Sequence, residues 1–224
     1  MRKETNQVKI AGEVIENFTF DHEVYGEKFY VAAVRVPRLS ETHDIIRVMV
    51  SERLVDVSAD WAGSWIRING QFRSVNKKQP EGRSKLELYV FALEVEALET
   101  LDVPNEDMNS IVLDGYYCKE PVYRETPLGR KVTDILFAVN RANGKSDYIP
   151  CICWGRSALF AARFETGAHF ILNGRIQSRV YRKRLEDGNY EERTAWEVSV
   201  HTMQLADEEG EENHEDTNDT NAES

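Results

Sequence analysis

The chain has 224 residues, of which 41% are hydrophobic and 30% charged, and carries a formal net charge of −11. That is the composition of a soluble globular protein, and no apolar run approaches the roughly 20 residues needed to cross a bilayer, so no membrane partner is expected. The charge is unevenly spread, with −2 over residues 6–98, −4 over 99–108, +3 over 109–205 and −9 over 206–224, so a total that argues against phosphate binding comes from two short segments and leaves the rest compatible with it.

The start, Met1-Arg-Lys-Glu-Thr-Asn-Gln, has two basic residues but no apolar stretch behind them, and it does not read as a secretory signal. A cytoplasmic location is therefore expected. Strand-like runs follow in order: Asn6-Gln-Val-Lys-Ile-Ala-Gly12, Tyr30-Val-Ala-Ala-Val-Arg-Val36, Asp44-Ile-Ile-Arg-Val-Met-Val50, Ile66-Arg-Ile-Asn-Gly-Gln-Phe72 and Leu86-Glu-Leu-Tyr-Val-Phe-Ala92. Each is short and rich in β-branched or aromatic residues. Between the third and fourth runs, Glu52-Arg-Leu-Val-Asp-Val is the single helix-like stretch.

The order then recurs, beginning 103 residues on. Asn109 to Gly115, Asp134 to Asn140, Asp147 to Cys153, Phe170 to Ile176 and Trp196 to Thr202 answer the five runs one by one, with Ser157-Ala-Leu-Phe-Ala-Ala-Arg-Phe in the helix position. A repeat fixes architecture before any motif is consulted. Five strands with a helix between the third and fourth is the order of the OB-fold, a partly open barrel that binds oligonucleotides across strands two and three. The expected fold is thus all-β: a first OB-fold over 1–98, an acidic, proline-containing linker over 99–108, a second OB-fold over 109–206 and a tail over 207–224. The tail holds nine acids with no Lys or Arg and lacks the apolar residues that would offset its ordering entropy, so disorder is expected there.

Cys118, Cys151 and Cys153 are an odd set that argues against a disulfide framework. Cys151 and Cys153 share one face of a strand, but no second cysteine or histidine pair completes a zinc tetrahedron, so they read as small core residues. No metal or cofactor is expected. The five histidines are scattered, and no P-loop, G-x-S-x-G or dinucleotide fingerprint is present, so no catalytic constellation can be assembled and no enzymatic activity is expected.

The second copy resembles the bacterial single-stranded DNA-binding protein family across nearly its whole length. The residues that carry the resemblance are Leu136-Phe-Ala-Val-Asn-Arg141, Asp147-Tyr-Ile-Pro-Cys-Ile-Cys-Trp-Gly-Arg156, Gly167-Ala-His-Phe-Ile-Leu-Asn-Gly-Arg-Ile-Gln-Ser-Arg-Val-Tyr181 and Met203-Gln-Leu205. The first copy resembles it only through its strand pattern and Asn69-Gly70. The resemblance implies binding of single-stranded DNA without sequence preference, in replication, recombination or repair, and assembly that brings four OB-folds together. For a chain with two copies this means a homodimer in the nucleoid, with replication or repair proteins as further partners. A primosome-type or mobile-element accessory protein, using the same fold mainly to bind protein, is the alternative.

Alternation identifies the candidate contacts. In the third strand of copy two Ile149, Cys151 and Cys153 face one way and Tyr148, Pro150, Ile152 and Trp154 the other, which makes Tyr148 and Trp154 candidate base-stacking platforms. In the fourth strand Ile176 and Val180 face inward, while Arg175, Gln177, Arg179 and Tyr181 face out beside Arg182, Lys183, Arg184 and, on the return strand, Tyr190. Arg156 adds charge at the end of the third strand. Copy one has Ile45, Ser51 and Lys77 where copy two has Tyr148, Trp154 and Tyr181, so its weaker candidates are the cations Arg47, Arg53, Arg73, Lys77 and Lys78.

Overall fold

The computed structural model describes residues 4–40, 42–78, 84–99, 108–184 and 188–206. Residues 100–107 of the expected linker over 99–108, and the tail over 207–224, lie outside these residues. The first half contains β1 (Asn6–Val14), β2 (Thr19–Val24), β3 (Glu27–Pro37), β4 (His43–Ser51), β5 (Trp65–Lys78) and β6 (Ser84–Leu98). The second contains β7 (Asn109–Tyr117), β8 (Val122–Glu125), β9 (Lys131–Asn140), β10 (Ser146–Trp154), α1 (Gly155–Ala161), β11 (His169–Arg184) and β12 (Tyr190–Leu205).

The sixth strand of each half is an interruption of the first. Val14 of β1 and Thr19 of β2 both pair with β3, at Val34 and Val31, so β1 and β2 are two arms of one strand that leaves the sheet at Ile15–Phe18. In that gap the Asn17 side-chain oxygen accepts the backbone N–H groups of Trp61 and Ala62 at 2.7 and 3.0 Å. β7 and β8 repeat the arrangement along β9.

Each half closes into a ring of five strands. In the first, β1, β3, β4, β6 and β5 pair in succession and β5 returns to β1; the closing pair is the parallel contact of β4 with β6, at Val48 and Val90. In the second, Cys151 and Val198 make the same parallel contact between β10 and β12. The rings are joined edge to edge by antiparallel pairing of β1 with β7, where Val8 faces Ile111.

Inside each ring, side-chain alternation supplies the core. Ile46, Val48 and Val50 of β4 are fully buried, and so are Ile149, Cys151 and Cys153 of β10 at the equivalent positions. The thiols therefore occupy valine positions. Burial pushes the Cys153 thiol up to about 12 and raises that of Cys151 well above the ordinary range.

Four glycines mark where strands cross too closely for a side chain. A Cβ on Gly12 or Gly115 would lie 2.4 or 2.3 Å from the carbonyl oxygen of Arg35 or Ala138, and one on Gly70 or Gly174 would lie 2.3 Å from that of Phe91 or Ser199. Gly70 and Gly174 also sit at the bulges of β5 and β11.

Three sequence expectations are corrected. The stretch Glu52–Val57 forms turns instead of a helix. There the Ser51 hydroxyl accepts the Arg53 N–H, and Asp56 accepts both the N–H and the hydroxyl of Ser58, local bonds that compete with helical ones beside β-branched Val55 and Val57. The helix of the second half starts at Gly155 and ends at Ala161, earlier than Ser157–Phe164 at both ends. Finally, the last strands match with Leu88, not Leu86, opposite Trp196, because Val90 and Val198 hold the same place against β4 and β10. A shift of two residues preserves the facing of every side chain and so leaves no trace in the hydrophobic pattern.

Because thiolate formation is suppressed at Cys151 and Cys153 and both are buried, a disulfide-exchange reagent should modify at most one thiol of the native protein, half-buried Cys118, and all three after unfolding. Rapid modification of two or three thiols in the native state would contradict this packing.

Candidate nucleic-acid interface

Tyr148 and Trp154 lie near the two ends of β10, 41% and 39% exposed, on its outer face as alternation requires. Six residues of strand separate them by about 20 Å, so they are fitted to bases several nucleotides apart. Between them Pro150 is half-buried and Ile152 is buried. Trp154 borders a shallow groove with Gly129, Arg130, Lys131 and Gly155. Arg156, exposed on α1, adds a charge with no ion pair among the described residues.

β11 and β12 continue past the ring as a two-stranded arm. From Arg179 to Arg184 every residue of β11 is exposed, including Val180 at 65%, so the inward facing expected for Val180 is corrected: no barrel lies beneath that part of the strand. Arg179 lies 5.8 Å from the centre of the Tyr181 ring and only 3.8 Å from the Glu197 carboxylate. Tyr190, 66% exposed, pairs across from Arg184, and Tyr181 across from Arg193. Arg182 reaches Glu192 at 3.4 Å with both side chains exposed, a weak contact. Lys183 and Arg184 are exposed and have no ion pair among the described residues.

Two expected contacts face the protein instead. Gln177 is buried and donates to Glu197 at 2.7 Å. Arg175 is held by the other half: its guanidinium bonds Asp44 at 3.0 Å. Strand alternation placed both on the outer face, and that face is covered where the halves meet.

The meeting is reciprocal. Asp44 is fully buried; it is bound by Arg38 and accepts the backbone N–H of Ser178 at 2.8 Å, while the Ser178 hydroxyl accepts the Ile45 N–H at 2.9 Å. Asp147, also buried, is bound by Arg141 and accepts the backbone N–H of Ser74 at 2.6 Å, while the Ser74 hydroxyl accepts the Tyr148 N–H at 2.9 Å. Each half thus fixes the third barrel strand of the other with one serine. Trp196 adds a bond that has no counterpart, donating from its indole to the Ile45 carbonyl at 2.7 Å. The role of these serines was not legible in the sequence, although the Arg-x5-Asp spacing of Arg38 to Asp44 recurs in Arg141 to Asp147.

On the equivalent face of the first half the cations are engaged. Arg47 sits 4.3 Å from the Tyr89 ring centre and 5.9 Å from that of Trp196, and pairs with Glu87 at 3.4 Å. Arg53 reaches Glu27 at 3.4 Å, and Lys77 binds Asp21 at 2.7 Å and Glu87 at 3.5 Å. The bond from Asp21 raises the Lys77 pKa against the opposing effect of burial. Arg73 rests 3.8 Å from the centre of Phe91. Lys78 ends β5, and its side chain lies outside the described residues.

Comparison with known proteins places these halves in context. Residues 108–206 match the model of the Single-strand binding protein family. The single-stranded DNA-binding protein 2 of Listeria innocua is 38% identical over 81 residues, covering 33% of this chain and 51% of that protein. Single-stranded DNA-binding protein A of Bacillus subtilis is 36% identical over 81 residues, covering 33% and 47%. The chain spans about half the length of the curated relatives it matches. The crystal structure of the wild-type single-stranded DNA binding protein from Thermus aquaticus superposes with a TM-score of 0.69 at 18% identity, over 91% of this chain and 93% of that one, which shows a shared fold.

The carboxylate clamp yields a test independent of any ligand. Replacing Asp147 with Asn should lower stability by about 3 kcal/mol, because Arg141 and the Ser74 N–H would lose a buried charged partner. Adding Arg141→Gln should recover part of that loss. Urea unfolding of the two single variants and the double variant measures the coupling; additive losses would show that the pair does not act as a unit.

Proposed function

We propose, from the match of residues 108–206 to the single-strand binding protein family, that the chain belongs to that family and binds single-stranded DNA without sequence preference and without catalysis. Each half is read as an OB-type barrel, so the protein is a tandem of two. The observation that carries the reading is the pairing of two half-exposed aromatics, Tyr148 and Trp154, on one outer face of β10 with cations that no carboxylate of the described residues holds closely: Arg156, Lys183 and Arg184. Stacking tolerates any base because every base has a π-face, and the cations follow the backbone. Tyr181, Tyr190, Arg179 and Arg182 extend the track along the arm, whereas Gln177 and Arg175 support it from beneath.

The first half supports binding chiefly as a scaffold, because Arg47, Arg53 and Lys77 are neutralised by Glu87, Glu27 and Asp21. Coating of single strands in replication, recombination or repair, in the cytoplasm, and assembly of two chains so that four barrels share one strand complete the proposal.

The test is a fluorescence titration with oligo-dT combined with a nuclease assay on the same sample. Trp154→Ala should weaken binding by about 1 to 3 kcal/mol, and Arg53→Ala by less. Replacing Arg179 and Lys183 together with Ala should flatten the slope of log K against log salt by about 1.4, or about 0.7 for each phosphate no longer neutralised. Unchanged affinity in Trp154→Ala and an unchanged slope in the double variant would overturn the assignment.

A further inference from the structure

Where the halves meet, β2, the outer face of β5 and β6 and the tip between β9 and β10 enclose a cleft lined by the paired Asp21 and Lys77, by His22, Val75, Phe91 and Arg73 from the first half, and by Arg141 from the second. Arg73 also lines the adjoining groove with Asn140 and Asn143, so it stands at the centre of a continuous furrow that neither half contains alone.

Arg73 differs from Arg47, Arg53 and Lys77, each of which has a carboxylate partner. Its guanidinium lies flat enough on Phe91 to approach the ring centre to 3.8 Å, and it bonds the Gln71 side-chain oxygen at 2.9 Å, yet among the described residues no carboxylate lies within ion-pair reach. The acids nearby are engaged elsewhere: Asp21 holds Lys77 and His22, and Asp147 holds Arg141. Burial first, and then the neighbouring charge of Arg141, pull the Arg73 pKa below the ordinary arginine value against the opposing charge of Asp147. A half-buried cation with no ion pair of its own, whose nearest acid is already held by another arginine, is stabilised when an anion joins it. The cleft offers that anion an apolar neighbour in Val75 and an aromatic one in His22, which stacks on Phe29 at 5.0 Å. At the corresponding position of the second half stands Gln177, buried against Glu197, so the site is not duplicated.

We infer that this cleft holds one nucleotide of the bound strand, with the phosphate at Arg73 and the base over the Arg73 guanidinium, whose other face is backed by Phe91. This rests on the single-strand reading above and extends it: the strand leaves Tyr148, crosses Ser74 and reaches a second binding point built by both halves. A guanidinium plane is an accepted stacking partner for bases, and a desolvated arginine is a strong phosphate ligand.

The test uses the full-length protein and two oligo-dT probes, one of about 10 nucleotides and one of about 30, lengths within and beyond the span of a single barrel. Arg73→Gln should weaken the long probe about tenfold, flatten its salt slope by about 0.7, and leave the short probe within about twofold. Arg73→Lys should restore the slope but not the affinity, since lysine keeps the charge and loses the plane. Unchanged long-probe affinity and slope in Arg73→Gln would overturn the inference, as would equal losses on both probes with a lowered melting temperature. Trp154→Ala serves as the reference: if it abolishes binding while Arg73→Gln does nothing, the cleft fails and the single-strand reading stands, and if neither matters both fail.

Discussion

Two buried carboxylates, Asp44 and Asp147, hold the molecule in its shape. Each neutralises an arginine of its own half and takes a backbone N–H from the other half's long hairpin, at Ser178 and Ser74. A charge buried without such partners would be expelled or protonated. With them it becomes a fixed point through which the two rings are registered against each other, in addition to the antiparallel pairing of β1 with β7. The hydroxyls of the same serines hold β4 at Ile45 and the candidate binding strand β10 at Tyr148. Docking of the halves and placement of the stacking platform are therefore one event.

Against that near-symmetry the differences acquire meaning. Where the second half presents Tyr148 and Trp154 to solvent, the first has half-buried Ile45 and buried Ser51, whose hydroxyl donates to Glu27. The first half's face is closed by Trp196, which bonds the Ile45 carbonyl, and by Arg47 set against the rings of Tyr89 and Trp196, while the arm of the second half stands clear of its ring with its cations outward. Duplication has supplied one framework, and substitution has divided it into a face that packs and a face that stays open.

Much of this was legible in the sequence. The repeat gave the order of strands, and period-two alternation correctly turned Ile149, Cys151 and Cys153 inward and Tyr148 and Trp154 outward. Three things were not legible. Val180 follows the alternation but lies beyond the ring, where facing has no consequence. The shift of Leu88 against Trp196 is even-numbered, so the hydrophobic pattern conceals it. Gln177 and Arg175 looked like surface residues because the partner that covers them, the other half of the same chain, is invisible to local pattern. Arg73 was legible as one of the weaker candidate cations, but its setting was not, because its neighbours Phe91 and Arg141 come from a different strand and a different half.

The most direct test of where the strand runs is photo-crosslinking of oligo-dT to the full-length protein, followed by identification of the modified peptides. Adducts should concentrate on the peptides carrying Tyr148, Trp154, Tyr181 and Tyr190. Adducts concentrated instead on Tyr116, Tyr123 or the turns around Trp61, or none above a duplex control, would contradict this path.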